Sequence, residues 1–148
     1  MHIIRDILES LNKKGYNKEV NDPLVLDQQL DNIVQTLLRS TEDISAAIIS
    51  SVDGLARSKQ LAEGMDEHRF AAMSSALLAL SDNLVREGNK GNIENVLIEG
   101  SNGKIFILHA GPQFLLTVFT RHGANLGMSL AYARQATAQI IALMEALG

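Results

Sequence analysis

Apolar residues recur at helical spacing in several long stretches of the chain and alternate at strand spacing between them. The stretch from Met65 to Gly88 sets the frame. Phe70, Met73, Leu77, Leu80 and Leu84 follow one another in steps of three and four, which places them in one stripe along a helix and predicts that the stripe faces the core. About a quarter turn away runs a row of small residues, Ala72, Ala76, Ala79 and Asn83, and no charged residue lies between Arg69 and Asp82. A surface helix ordinarily shows water a charged face. One without it is expected to pack on two sides, one against its own domain and the other against a partner, most simply a second copy of the chain.

The flanking pattern predicts the remaining elements. Met1 to about Asn12 reads as a short amphipathic helix with Ile3, Ile4, Ile7, Leu8 and Leu11 on one face. This helix either packs on its own domain or dimer, or docks to a partner or membrane surface. Lys13 to Asn21 is polar and reads as a linker. Asp22-Pro23 is a helix start, because Asp accepts from the first free amides and Pro suits the first helical position. Leu26, Leu30, Ile33, Val34, Leu37 and Leu38 follow at helical spacing. From Ile44 the period shortens: Ala47 to Val52 is a buried strand, Asp53-Gly54 a hairpin turn and Leu55 to Leu61 the return strand. Asp66 is placed to cap the long helix, and Gly88, Asn89, Gly91 and Asn92 form the turn after it.

Three strands are predicted next, Ile93 to Glu99, Lys104 to Ala110 and Gln113 to Arg121, separated by the tight-turn dipeptides Asn102-Gly103 and Gly111-Pro112. Consecutive apolar residues at Ile105 to Leu108 and Phe114 to Leu116 imply burial on both faces, with helices over both. A last helix from near Asn125 to Leu147 buries Ala133, Ala136, Ile140, Leu143, Met144 and Leu147. The expected fold is α+β: a sandwich with a central five-stranded antiparallel sheet and helices on both faces. Its order is α-β-β-α-β-β-β-α plus an extra N-terminal helix, with residues 1–22 as appendage and linker and 23–148 as the domain.

Composition narrows the class. With 148 residues and 46% hydrophobic content the chain is large enough to build one core without disulfides or metal. A net charge of −4 and only 4% aromatic residues speak against nucleic-acid binding by phosphate neutralisation or base stacking. The absence of Cys excludes disulfides, thiol nucleophiles and zinc knuckles. Arg5, Asp6 and Glu9 interrupt the N-terminal apolar residues, so no signal peptide is expected, no apolar run has the length of a membrane span, and a cytoplasmic location is expected.

The chemistry-bearing residues form no enzyme site. Gly100-Ser101-Asn102-Gly103-Lys104 lacks the glycine spacing, the Ser or Thr after Lys and the following helix of a phosphate loop, and reads as a β-hairpin. Gly127-Met128-Ser129-Leu130-Ala131 lacks the second Gly of a nucleophile elbow. His2, His68, His109 and His122 share no metal-ligand spacing, although His109 and His122 lie near the ends of adjacent strands. Glu94 and Glu99 fall on opposite faces of one strand. No catalytic, metal or cofactor site is expected, and Arg57, Arg69, Arg86, Arg121 and Arg134 read as solvated or in surface ion pairs. An arginine acting in trans on another protein's nucleotide leaves no local signature.

The run Ala46-Ala47-Ile48-Ile49-Ser50-Ser51-Val52-Asp53-Gly54-Leu55 resembles the first hairpin of the roadblock family, named for dynein light chains and including prokaryotic regulators of Ras-like GTPases. The resemblance continues through Ala71 to Ala76, through the meander, and into Ala124-Asn125-Leu126-Gly127 with Ala131 and Arg134, covering roughly Pro23 to Leu147. It implies a profilin-like sheet and a dimer in which the strand after the long helix pairs with its copy while the long helices pack together. Ile93 and Val96 then join Ala72, Ala76, Ala79 and Asn83 at the dimer interface. The resemblance also implies action without cofactors, as a platform for a small GTPase or as an adaptor. On a helical wheel Ser75, Leu78, Asp82 and Arg86 lie away from the expected core stripe, and that ridge is the expected partner surface unless it is solvated or used in dimerisation.

Three functions remain in view. The leading one is a non-enzymatic dimeric regulator that binds a small Ras-like GTPase and modulates its nucleotide state, including GTPase activation in trans. The alternative is a dimeric scaffold in a motor, motility or signalling complex, with the N-terminal helix as docking peptide. The third is a small-ligand sensor with a pocket between sheet and helices. Homodimer and heterodimer with a related chain are both open, and neither nucleic-acid binding nor membrane insertion is expected.

Overall fold

Three helices and five strands follow one another in the predicted order in a computed structural model, which describes residues 3–6 and 23–148. Helix α1 spans Pro23–Ser40, β1 Ile44–Ser51, β2 Ala56–Gln60, α2 Glu67–Glu87, β3 Val96–Gly100, β4 Gly103–Ala110, β5 Phe114–Thr120 and α3 Leu126–Leu147. Residues 3–6 form a helical turn. The rest of the predicted N-terminal helix, the linker and the Asp22 cap lie outside the described residues.

The strands form one antiparallel sheet in the order β2-β1-β5-β4-β3, so β2 and β3 are its edges. Parity sorts the strand side chains between two layers. Ala47 and Ile49 of β1, Phe106 and Leu108 of β4, and Leu116 and Val118 of β5 point to the face covered by α1 and α3. There they join Leu30, Val34, Ala133, Ile140 and Leu143 in one large cluster. Ala46 and Ile48, with Ile107, Leu115 and Phe119, point to the opposite face, where α2 lies over two smaller clusters. Burial on both faces explains the unbroken apolar runs in β4 and β5, the pattern expected of a sheet covered twice.

Local chemistry ends the elements where the sequence suggests. The Asp66 side chain accepts from the amides of His68 and Arg69 at the start of α2, and Asn125 accepts from the amide of Met128 at the start of α3. At two glycines a side chain would be strained. Gly54, at φ +89°, turns the β1–β2 hairpin, and a Cβ there would sit 3.3 Å from the Ala72 Cα of α2. Gly103, at φ +142°, brings β4 beside β5 so closely that a Cβ would lie 2.4 Å from the Thr120 carbonyl oxygen. The hairpin tip is therefore pressed against α2.

Two strand starts differ from expectation by three residues, the other strand boundaries by at most one. Strand β1 starts at Ile44 rather than Ala47, with an irregularity between Ile44 and Ala46 in its pairing with β5. Strand β3 starts at Val96 rather than Ile93. Ile93 sits in the loop before it and, like Leu77 and Val96, packs against the cluster of Leu78, Ile107 and Leu115.

Candidate functional site

Helix α2 turns a different face to the sheet than its most apolar stripe predicts. At about 100° per residue, Ala71, Ser74 and Leu78 share one face, and these three are its buried residues. Met73, Leu80 and Leu84, expected in the core, are 52%, 67% and 70% exposed. Phe70 and Leu77 lie at the border. Phe70 meets the Phe119 ring edge-on at 5.2 Å between centroids, and Leu77 packs, as do Ile93 and Val96, against the cluster of Leu78, Ile107 and Leu115. Small residues face the sheet because the helix lies close to it, as the Gly54–Ala72 approach requires. The larger apolar side chains are left on the outside.

A hydroxyl seam holds the inner face. Thr117 Oγ1, buried in the middle of β5, donates to Ser74 Oγ of α2 at 2.8 Å. Ser75 Oγ donates to the Val52 carbonyl at the hairpin tip. At the first turn of α2, Lys59 Nζ pairs with Glu67 Oε1 at 2.8 Å.

These contacts redistribute the predicted partner ridge. Leu78 is 2% exposed and belongs to the core with Ile107 and Leu115, so it offers nothing to a partner. Ser75 is spent on the hairpin. Only Asp82 and Arg86 remain near the surface, 4.0 Å apart, with Arg86 Nη2 also donating to Asn83 Oδ1 at 2.7 Å. Ser75, Leu78, Asp82 and Arg86 are therefore not one continuous surface. By contrast Ala72, Ala76, Ala79 and Asn83 are all exposed, and they lie beside Met73, Leu80 and Leu84 on the outer side of the helix.

Strand β3 extends this apolar surface. Its outer edge has no strand partner among the described residues. Ile98, paired with Ile105, points to the α2 face and is 38% exposed, while Leu97, paired with Phe106, points to the other face. Leu77, Ile93 and Val96 bridge α2 to this edge. The result is a strip of exposed apolar side chains beside a row of unpaired backbone groups, a surface suited to pairing with another chain.

Elsewhere the polar groups are engaged with one another. A cleft between α1 and β2 is lined by Asp31, Gln35, Arg57, Ser58, Lys59 and Glu67. Arg57 Nη2 pairs with Asp27 Oδ1 at 3.2 Å, and Ser58 Oγ donates to Asp31. His109 and His122 are both exposed. Among the described residues no three His, Asp or Glu side chains are grouped to hold a metal ion. No helix among them is long and apolar enough to cross a membrane. The arrangement is that of a binding surface, and its leading residues, Met73, Leu80 and Leu84, were assigned by sequence to the opposite role. Thr117 is the residue that carries the missing signal: a hydroxyl in the middle of an apolar strand calls for a polar partner, and Ser74 supplies one only if the helix is rotated as observed.

Comparison with known proteins places the chain. The family model of the Roadblock/LC7 domain matches residues 30–120. Protein MJ1340 of Methanocaldococcus jannaschii is 31% identical over 106 residues, covering 72% of this chain and 92% of that protein. Among solved structures, a Roadblock/LC7 domain from Streptomyces avermitilis superposes with a TM-score of 0.72 at 21% identity, covering 78% of this chain and 97% of that one. MglB of Myxococcus xanthus superposes with a TM-score of 0.76 at 15% identity, covering 82% and 92%. Profilin II of Acanthamoeba castellanii gives 0.53 at 14% identity, covering 74% and 94%. At these identities the structural likenesses speak for the fold, which is the profilin-like sandwich expected.

Proposed function

The chain belongs to the Roadblock/LC7 family, and on that footing we propose that it acts without catalysis of its own, as a dimer that binds a Ras-like small GTPase and biases its nucleotide state. The observation that carries the dimer is the strip formed by Met73, Leu80, Leu84 and Ile98 along the open edge of β3. A second copy related by a two-fold axis presents the same strip and the same edge, so β3 pairs with its copy and the helices pack through Ala72, Ala76, Ala79 and Asn83. Fully burying a Leu or Met side chain contributes about 1.5–3 kcal/mol. Each copy adds only the part of its strip still exposed, so the gain over both copies is about 7–14 kcal/mol, comparable to an association cost of about 4–15 kcal/mol.

The GTPase partner rests on family membership. Arg57 is held by Asp27, Arg86 by Asp82 and Asn83, and Arg121 Nε donates to the Glu42 carbonyl at 2.6 Å. These engagements favour an action on the partner's switch loops over donation of a guanidinium from any of the three. Such an action requires unequal affinity for the two nucleotide states, since equal affinity shifts nothing. The test is affinity capture from lysate of the source organism with excess GDP in one sample and a non-hydrolysable GTP analogue in the other. A small GTPase enriched in one state and identified by mass spectrometry supports the regulator. Partners recovered equally in both samples convert the reading to a scaffold.

A further inference from the structure

The sheet has two outer strands, β3 at one end and β2 at the other, and neither has a further strand partner among the described residues. They differ in what a pairing strand needs. Strand β3 keeps an unbroken one-to-one register with β4 from Val96 to Gly100, and it carries Leu97 and Ile98, 39% and 38% exposed. Strand β2 has neither property. Ser50 stands opposite Ala56 and the next residue back, Ile49, stands opposite Ser58, so Arg57 has no residue opposite it and bulges from the ladder. Around the bulge the side chains are polar, Arg57, Ser58, Lys59 and Gln60 in succession.

The bulge is held from both layers. Consecutive side chains of a regular strand turn to opposite faces, yet Arg57 and Ser58 both reach α1. Arg57 Nη2 pairs with Asp27 Oδ1 at 3.2 Å, and Ser58 Oγ donates to Asp31, one helical turn further on. The Arg57 guanidinium also lies 5.4 Å from the centroid of the Phe114 ring. Lys59 turns the other way, to Glu67 in the first turn of α2. The extra residue is what lets two neighbours on β2 meet two acids one turn apart on α1.

We propose that this clamped bulge closes the β2 edge to strand pairing and thereby limits assembly to the β3 edge. The inference rests on the dimer proposed above. Pairing at β3 leaves the β2 strands of the two copies at the two ends of one continuous sheet, and if those ends accepted strands, each would take up another dimer without limit. A strand laid against β2 meets backbone groups that fall out of step at Arg57, so only the short stretches on either side offer a regular ladder. A second β2 would also bring its Arg57 and Lys59 alongside those of the first, which like charges resist.

Deletion of Arg57 makes Ala56 and Ser58 neighbours opposite Ser50 and Ile49, which restores one-to-one register, and Lys59→Val removes the second cation. Full-length protein carrying both changes is compared with the unaltered protein by sedimentation velocity over a range of concentrations, with circular dichroism to show that each is folded. The unaltered protein should stop at one size, and the variant should reach a mean mass at least about twofold larger that still rises with concentration. A folded variant that stays at the size of the unaltered protein overturns the proposal. A second measurement needs no variant. Hydrogen exchange of the unaltered protein is followed at low and high concentration, on the amides of Ala56–Gln60 not bonded to β1 and those of Val96–Gly100 not bonded to β4. The β3 amides should slow at least about tenfold as the dimer forms, while the β2 amides stay within about twofold of their starting rates. Slowing at β2 overturns the closure of that edge, whereas an absence of slowing at β3 overturns the dimer, so the two readings fail separately.

Discussion

On one face of the sheet, α1 and α3 lay Leu30, Val34, Leu37, Ala133, Ile140 and Leu143 onto Phe106, Leu116 and Val118 in a single apolar cluster. On the other, α2 brings Ala71, Ser74 and Leu78 to the sheet and keeps Met73, Leu80 and Leu84 outside. The first arrangement is a finished core. The second is a helix held by small residues and hydroxyls whose larger apolar side chains stay exposed among the described residues. The contrast teaches that one face of the sheet is closed by its own helices while the other leaves an apolar strip exposed, which the proposed dimer would use, and that the most hydrophobic stripe of a helix need not be the one its own domain buries.

The largest expected effect lies on the finished face. Phe106 is 0% exposed, and Phe106→Ala should destabilise the protein by about 3–5 kcal/mol through lost transfer energy and the cavity left behind. Leu78→Ala on the other face should cost about 2–3 kcal/mol, toward the low end of the usual range, because its cluster is small and borders solvent. Urea denaturation at two protein concentrations measures both and separates folding from association. Equal losses would erase the distinction between the faces.

The next effect is on assembly. Leu80→Asp combined with Leu84→Asp places charges where a second copy's apolar strip must sit, and should raise the dimer dissociation constant by at least about a hundredfold, some 2.7 kcal/mol. Because both side chains are exposed within their own chain, the monomer's own stability should change by no more than about 0.5 kcal/mol. Sedimentation equilibrium and denaturation read the two quantities separately. A monomer that unfolds would mean that the strip belongs to the core after all, and an unchanged dimer would move the interface elsewhere.

The same contrast marks how far the sequence could be read. Element order, the Asp66 cap, the start of α3 near Asn125 and all three hairpin turns were legible because turn chemistry and capping are local: Asp53-Gly54, Asn102-Gly103, Gly111-Pro112, Asp66 and Asn125 act within a few residues of themselves. The rotation of α2 was not. Periodicity gives the angle between two rows but not which row meets the sheet, and size favoured Met73, Leu80 and Leu84 over Ala71 and Ser74. The reason for the inversion is long-range, in the approach of Gly54 to Ala72 and the bond between Ser74 and Thr117 across 43 positions of sequence. Leu78 was misplaced with the rest: at about 100° per residue the buried face of Ala71, Ser74 and Leu78 stands rather more than a quarter turn from the stripe of Phe70, Met73, Leu77, Leu80 and Leu84, so a residue placed away from that stripe turns inward.

The hydroxyl seam gives the third comparison. Ser74→Ala leaves Thr117 Oγ1 buried with its partner removed and should cost about 1–3 kcal/mol, mostly the desolvation of the orphaned group. Adding Thr117→Val removes the orphan and should recover most of that loss, a coupling that a double-mutant cycle in denaturant measures directly. Additive losses would show that the bond does not seat the helix.

The smallest effect sharpens the point most, because it concerns a hydroxyl on the same face without a partner. Ser50 of β1 is 0% exposed and stands opposite Leu115, so it points toward α2, yet its Oγ has no hydrogen-bond partner among the described residues. A buried hydroxyl left unpaired forfeits its hydration and gains nothing in exchange. Ser50→Ala removes that group with little change of volume, so stability should stay level or rise by up to about 1 kcal/mol, visible as a higher midpoint in urea with the slope unchanged. Ser74→Ala and Ser50→Ala are the same chemical change on the same face, and opposite signs would show that α2 is held by particular bonds and not by the polarity of the seam. A loss at Ser50 as large as at Ser74 would instead reveal a bond that forms in solution, and the seam would then span β1 as well as β5.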